Sequence, residues 1–446
     1  MLRILLPTLL VFAALAAPAK AAPNQIMIFE APRELGSNDA GLSAATLDEI
    51  KATGTTHVRM ILYWRNVAPG PKKKRRPAFR ERDPAAYNWG IYDRNIAQIR
   101  ERGLEPLVTI SGPVPRWATG KRKGGVFKPR PKHFRRFAEA VGLRYGNQVN
   151  MWSIWNEPNH PQFLKPQYRK KRGKKVPASP AVYRRLFKAG RNGLLASGYG
   201  AGKVILAGET APRGTPRVVA PVPFAKKFFK KGRLGASGWA HHPYTTKAGP
   251  FFKPSNKKDV TIGVLSRLTR ALDRSRGGKR LPLYLNEFGI QSKPDPFVGV
   301  PELKQAEYRA ISERIAYRNR RVRAFSQYMM RDDLPRSGSR FTRYSGFESG
   351  LRHSDGRPKI AYGAYSLPMV ADRGRKRVTL WGLVRPASGA TTVEIQYKQG
   401  KQAWKRLKAK NTNAAGYWST TTAFRKKRSY RVIWNGQAGA RTRVYR

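Results

Sequence analysis

Cysteine is absent from the 446 residues. That excludes disulfides, thiolate metal sites and cysteine nucleophiles, and leaves stability to core burial alone. Acidic residues are scarce, 26 Asp and Glu against 89 Lys and Arg, a formal net charge of +63. A surface so basic attracts polyanions of any kind, whether nucleic acid, anionic membrane, wall polymer or acidic polysaccharide, with an affinity that falls as salt rises. It reads equally as a solvated surface, so the charge names a class of partners and not a function. Histidine is limited to six residues, scattered apart from His241-His242. Neighbours on a strand point to opposite faces, so these two cannot share one ion, and no metal or other cofactor is expected. Glycine-rich phosphate loops, serine-nucleophile elbows and nucleic-acid-binding motifs are also missing. No apolar run is long enough to span a membrane. The longest opens the chain: Arg3, apolar residues 4–17, then the small-residue pattern Ala19-Lys20-Ala21. This reads as a secretory signal peptide over 1–21, which makes the mature protein soluble and exported, secreted or associated with the cell wall.

What is present is a 40% hydrophobic, 11% aromatic chain with ample material for a core. From 22 to 370, short β-rich apolar runs alternate with amphipathic stretches of helical length, the signature of βα units around a parallel sheet. Strands are expected at 25–29, 57–63, 105–110, 150–154, 203–207, 237–240, 281–285 and 323–328. Helices are expected at 44–52, 92–102, 133–145, 181–196, 224–231, 261–274, 301–318 and 359–367. Eight such units predict a (β/α)8 TIM barrel whose active site lies where the strand C-termini converge. Beyond 370 the pattern changes to alternating apolar and polar residues at 377–384, 391–397, 417–421 and 429–434, which predicts a small all-β, sandwich-like domain over 371–446. With a core of its own in each part, the barrel is expected to fold and work after deletion from about residue 372.

Two segments carry the chemistry, Trp155-Asn156-Glu157-Pro158-Asn159 and Asn286-Glu287-Phe288-Gly289. Each ends an apolar run with a glutamate directly after an asparagine. Either glutamate alone reads as a solvated strand-end residue. Two of them, after the fourth and seventh strands, fall at the same end of the barrel, and an apolar run that closes on an unpaired carboxylate is costly to fold. Such a pair is the working pair of a glycosidase, one protonating the leaving oxygen while the other attacks or activates water. Arg59 in the second strand can hold a carboxylate in its ionised form. Trp117, in Pro115-Arg116-Trp117 after the third strand, can offer an aromatic face to a sugar. His241-His242-Pro243-Tyr244 follows the sixth strand, where the Tyr244 hydroxyl can reach Glu287.

In this ordered set the sequence resembles the clan A glycoside hydrolases, families 5 and 39, over about residues 25–370. Asn156-Glu157-Pro158 is similar to their acid/base motif, Arg59 to the family 5 arginine beside the nucleophile, His242-Pro243-Tyr244 to the clan's His-x-Tyr, and Glu287 to the nucleophile. The resemblance implies a retaining double displacement with Glu157 as general acid and base, Glu287 as nucleophile, carboxyls about 5 to 5.5 Å apart, and Asn156 on the sugar 2-hydroxyl. Arg59, Trp117, Asn156, His242 and Tyr244 are the expected substrate-side residues. Ser326-Gln327-Tyr328-Met329-Met330-Arg331-Asp332 departs from the tryptophan that many family 5 enzymes carry after the eighth strand, so the sugar is left open.

Glu209, Asp332 and Asp333 also fall at the catalytic end and read as rim or supporting groups. The basic runs 72–76, 121–123 and 169–175 all fall in loops after strands two to four. Singly they read as solvated loops; jointly they point to an anionic substrate or support. The runs at 226–231 and 425–428 fall elsewhere. In the C-terminal part, Trp404, Tyr417, Trp418 and Trp434 are divided between core and carbohydrate contact. The reading is a secreted, monomeric O-glycosyl hydrolase cleaving a β-linked polysaccharide or oligosaccharide. The alternative is a non-catalytic protein on the same barrel, binding a cell wall or polyanionic glycan.

Overall fold

The computed structural model describes residues 25–120 and 124–445. The expected leader over 1–21 and the basic run 121–123 lie outside the described residues. Eight strands, Ile26–Glu30, His57–Tyr63, Glu105–Ser111, Met151–Ile154, Val204–Thr210, Gly238–His241, Leu283–Leu285 and Val322–Tyr328, pair in parallel and close into a barrel. Each overlaps one of the expected segments. The helices Ala40–Ala52, Gly90–Glu101, Pro131–Tyr145, Ser179–Ala196, Pro221–Phe228, Ser266–Asp273, Glu302–Tyr317 and Ile360–Ser366 follow the successive strands. Their apolar stripes make the outer core. The third of them starts on a proline that needs no amide partner there, and buries Phe134, Phe137, Val141 and Tyr145 on one face. Phe137 stacks on Trp64 with centroids 4.9 Å apart, and truncating such a ring to alanine costs about 3–5 kcal/mol. No helix among the described residues is long and apolar enough to cross a membrane.

The barrel interior is layered. Ile28, Leu107, Met151, Leu206, Ala240, Tyr284 and Ala324, each from a different strand, form an apolar plug. Because side chains on a strand alternate, the residue two positions further on faces inward again. At those positions stand Glu30, Thr109, Ser153, His242, Asn286 and Ser326, all buried. The fifth strand breaks the count. Its register against the sixth slips between Ala207 and Thr210, a bulge that inserts one residue and turns Glu209 inward in place of Gly208. An apolar layer capped by a polar one, toward the strand C-termini, is the floor on which the site stands.

The C-terminal part is all-β, built as one strongly curled, mostly antiparallel sheet. Its strands run in the order Lys405–Asn411, Thr392–Gln399, Arg428–Trp434, Thr442–Tyr445, Met369–Arg373, Arg377–Leu383 and Tyr417–Ala423. The two end strands approach each other, Lys408 Nζ donating to Thr420 Oγ1 at 3.2 Å, around a core that includes Leu380, Ile395, Trp418 and Val432. Trp418 and Tyr417 are buried. Trp434 donates to Thr391 Oγ1 at 3.0 Å, and Trp404 is overlain by Lys398 and Arg431. These aromatics are occupied by packing.

This sheet docks on the seventh barrel helix. Ala310 and Ile311 of that helix pack with Val370, Trp381, Leu383 and Tyr417. Beside them Arg385 Nη2 donates to both oxygens of Glu313 at 2.8 Å, and Arg309 Nη1 donates to Glu313 Oε2 at 2.9 Å. All three are buried. A buried acid held by two arginines from either side of the boundary couples the two parts, contrary to the expectation of an independent barrel.

Candidate active site

Arg59 is the hub. It is fully buried in the second strand, and each of its five N–H groups is engaged. Nη1 donates to Glu287 Oε2 at 2.8 Å and to Glu30 Oε2. Nη2 donates to Asn156 Oδ1 and Glu209 Oε2, both at 2.7 Å, and Nε to Thr109 Oγ1 at 3.3 Å. Burial works against the guanidinium charge, but the surrounding carboxylates outweigh it and raise its pKa well above the ordinary value.

The two glutamates of the sequence motifs stand above this floor with different neighbours. Glu287 accepts from Arg59 on one oxygen and from the Tyr244 hydroxyl on the other, at 3.0 Å. Glu157 Oε1 shares a hydrogen bond with His242 Nδ1 at 3.0 Å, and the same nitrogen lies 3.6 Å from Glu287 Oε2. The nearest ligand atoms of Glu157, His242 and Glu287 all lie within 4.8 Å of one another. Among the described residues this is the one trio spaced to hold a metal ion. Its atoms are already bonded among themselves and to Arg59 and Tyr244, which makes it a hydrogen-bonded constellation. Burial lowers the pKa of His242, but the charge of Glu287 and the contact with Glu157 overcome this and raise it. Burial and the Glu287 charge together hold the Tyr244 hydroxyl far above its usual pKa.

The backbone is strained around these groups. Trp155 and Glu157, flanking Asn156, have φ of 73° and 36°, Glu209 has 43°, and Met329 has 79°. Non-glycine residues in this region cost free energy and collect where a side chain must be aimed. Gly208 (φ +112°) is required, because a Cβ there would meet the Ala240 carbonyl at 2.5 Å.

A cavity of about 590 Å³ opens above the site, lined by Glu30, Arg59, Asn156, Glu157, Tyr244 and Glu287 on the floor side, with Tyr328, Phe347 and Phe163 among its aromatic walls. Trp117 is not in it. Its ring is 3% exposed, set edge-on to Trp64, Phe79 and His133, with Nε1 donating to the Pro69 carbonyl. It is a core residue and has no free face for a sugar. The described basic runs, 72–76 and 169–175, also contribute nothing to the lining; part of the second forms the hairpin Tyr168–Lys171 with Lys174–Pro177. Asp332 is buried away from the cavity, where Lys359 Nζ donates to its Oδ1 at 2.6 Å.

Two carboxylates complete the floor. Glu209 is fully buried; burial would raise its pKa, but Arg59 and His242 hold it below the ordinary value, with Asn286 and Thr109 donating to Oε1 at 2.6 and 2.7 Å. It supports Arg59 and is not at the rim. Glu30, at the end of the first strand, was not among the expected site residues. Burial pushes its pKa up to about 8, against the pull of Arg59. The signal that could have found it is the alternation Ile26, Ile28, Glu30, an acid on the inward face.

No family model matches the chain. In fold it is similar to a family 39 glycoside hydrolase from the gut symbiont Bacteroides cellulosilyticus WH2, at TM-score 0.53 and 16% identity over 92% of this chain and 81% of that one. It is also similar to a glucosidase from Croceicoccus marinus, at 0.55 and 12% over 93% and 96%. A third likeness is to GH5_18 from Streptomyces cattleya in complex with GlcNAc, at 0.52 and 16% over 78% and 79%. The likeness is one of fold, and the closed eight-stranded parallel barrel is shared with these structures.

Proposed function

We propose that the protein is a glycoside hydrolase that works with retention, Glu287 attacking and Glu157 exchanging the proton. The carrying observation is the separation of the two carboxylates, whose nearest oxygens lie within 4.8 Å. That spacing suits direct attack on the sugar, whereas an inverting pair stands about 6.5–9.5 Å apart to admit a water. Their partners divide the roles. Glu287 receives two donors, Arg59 on one oxygen and Tyr244 on the other, which fix its carboxylate at the floor of the cavity. The Glu157 carboxylate has His242 as its one hydrogen-bond partner among the described residues and faces the cavity.

In the first step Glu287 bonds to the anomeric carbon while Glu157 gives its proton to the departing glycosidic oxygen, so the leaving group departs as an alcohol. In the second, Glu157 takes a proton from water, the oxygen attacks the same carbon, and the ester to Glu287 breaks. The Asn156 amide, its oxygen occupied by Arg59, keeps its N–H groups for a sugar hydroxyl. The reacting sugar is read as β-linked and uncharged. Arg59 has no donor left for a substrate carboxylate, and no other Lys or Arg among the described residues lines the cavity. The leader-like residues 1–21 support a secreted enzyme.

The test is hydrolysis of a panel of neutral aryl β-glycosides, with the first-formed anomer followed by NMR. Retention, abolished in Glu287→Gln, is expected. An inverted first product sinks the double displacement; inactivity of the folded wild type across the panel favours the glycan-binding alternative.

A further inference from the structure

A second concavity, of about 430 Å³, lies on the barrel flank between the helices Pro221–Phe228 and Ser266–Asp273, remote in lining from the catalytic cavity. Five of its lining residues are cations, Lys226, Lys257, Arg267, Arg270 and Arg274; the other two are Val222 and Ala271. The sequence arranges this locally. Positions 267, 270 and 274 share one helical face, as do 222 and 226 on the facing helix, and Lys257 enters from the loop after the sixth barrel strand.

Arg267 is fixed in place, Nη1 donating to the carbonyls of Asn256 at 3.0 Å and Asp259 at 3.2 Å, Nη2 to that of Pro254 at 3.0 Å. Among the described residues none of Lys226, Lys257, Arg270 or Arg274 forms an ion pair. The neighbouring acids are engaged elsewhere. Asp259 accepts from the Gly214 amide at 2.8 Å and Asn256 Nδ2 at 3.1 Å, and Asp273 is held by Arg321 at 2.9 Å. Cations gathered in a concavity without a counter-charge focus a positive potential, and guanidinium forks match the oxygens of carboxylate and sulfate.

The lining also selects among polyanions. It has no aromatic ring on which a base could stack, and its two small apolar residues give no wedge for a lipid surface. We propose that this flank cleft docks the acidic groups of a linear anionic polysaccharide, outside the cavity that holds Glu157 and Glu287. An uncharged reacting sugar and an acidic polymer are thereby compatible, since the charged groups are held away from the cleavage point.

The experiment measures binding to the full chain by calorimetry across a salt series, with carboxylated polygalacturonate fragments, sulfated dextran fragments, neutral dextran fragments and a thymidine oligonucleotide. The triple variant Lys226→Gln, Arg270→Gln, Arg274→Gln is compared with a control of equal charge loss, Arg425→Gln, Lys426→Gln, Lys427→Gln; thermal unfolding checks that both are folded. The expected result is a loss of tenfold or more for an acidic glycan in the cleft variant, with a shallower salt dependence, and less than twofold in the control. A response to the carboxylated or sulfated polymer alone identifies the anion. Equal losses in the two variants, or no loss in either, overturn the site, and tighter binding of the oligonucleotide than of either acidic glycan overturns its occupant. Binding is read without turnover, so the result stands apart from whether the barrel hydrolyses anything.

Discussion

Glu157 and Glu287 share a side chain and differ in neighbours, so substitutions at each should fail differently. Glu157→Ala removes the proposed proton donor. It should slow substrates with poor leaving groups by about 10²–10⁴-fold and activated aryl glycosides far less, with azide restoring part of the activated rate by replacing base-assisted water. Steady-state kinetics on a leaving-group series checks this, and equal losses across the series would remove Glu157 from the acid role. Glu30 makes a prediction about stability. Its folded pKa, about 8, lies above the ordinary 4.5, so the folded state holds a proton that the unfolded state releases. That contribution is complete below about 4.5 and is lost as pH rises through 8, with a slope of at most about 1.4 kcal/mol per unit for one proton. In Glu30→Gln this loss should vanish. Denaturant titrations of both proteins from pH 5 to 9 should show wild type losing stability relative to the variant; parallel curves would place the proton elsewhere.

At the scale of elements, the bulge in the fifth strand is where backbone geometry reaches the chemistry. Gly208→Ala puts a Cβ against the Ala240 carbonyl at a backbone angle of φ +112°. Straightening the bulge would turn Glu209 away from Arg59. The expected result is a cost of about 1–3 kcal/mol in stability and a fall in kcat exceeding any change in KM, by thermal unfolding and kinetics; full activity with intact stability would mean that the bulge does not aim Glu209. The same bulge marks the limit of sequence reading. The eight strands were legible because apolar, β-branched runs alternate with amphipathic stretches, and Glu157 and Glu287 because each ends such a run. Glu209 was visible only as one more acid after a strand, since an inserted residue that reverses facing leaves no periodic trace. Trp117 misled because an aromatic in a βα loop reads the same whether it stacks on sugar or on Trp64. In the C-terminal sheet, Lys405–Asn411 was missed because an edge strand rich in lysine offers little apolar face, Leu407 alone packing on the core.

The whole molecule is coupled through Glu313. Deletion from residue 372 removes Arg385, Trp381, Leu383 and Tyr417, stripping Ala310 and Ile311 of most of their cover and leaving Glu313 with Arg309 alone. Loss of one partner from a buried ion pair costs about 3–5 kcal/mol, a large share of a typical domain's stability. The truncated barrel should be insoluble or should unfold well below the full chain, and Arg385→Ala should reproduce much of the loss without removing any strand. Calorimetry of the full chain is expected to give a single transition; two separate ones would restore the independent barrel.

The strand order of the C-terminal sheet has a kinetic meaning. Thr442–Tyr445 pairs in parallel with Met369–Arg373 on one side and antiparallel with Arg428–Trp434 on the other, so the strand that follows all the others of this sheet in the chain sits in its middle. Until it is in place, the strands that precede it form two separate pieces, one of three strands carried by the barrel and one of three longer strands with the short Gln437–Ala438 beside Arg428–Trp434. Joining them is a contact between distant parts of the chain, the slow kind, and it cannot begin before synthesis has passed Thr442–Tyr445.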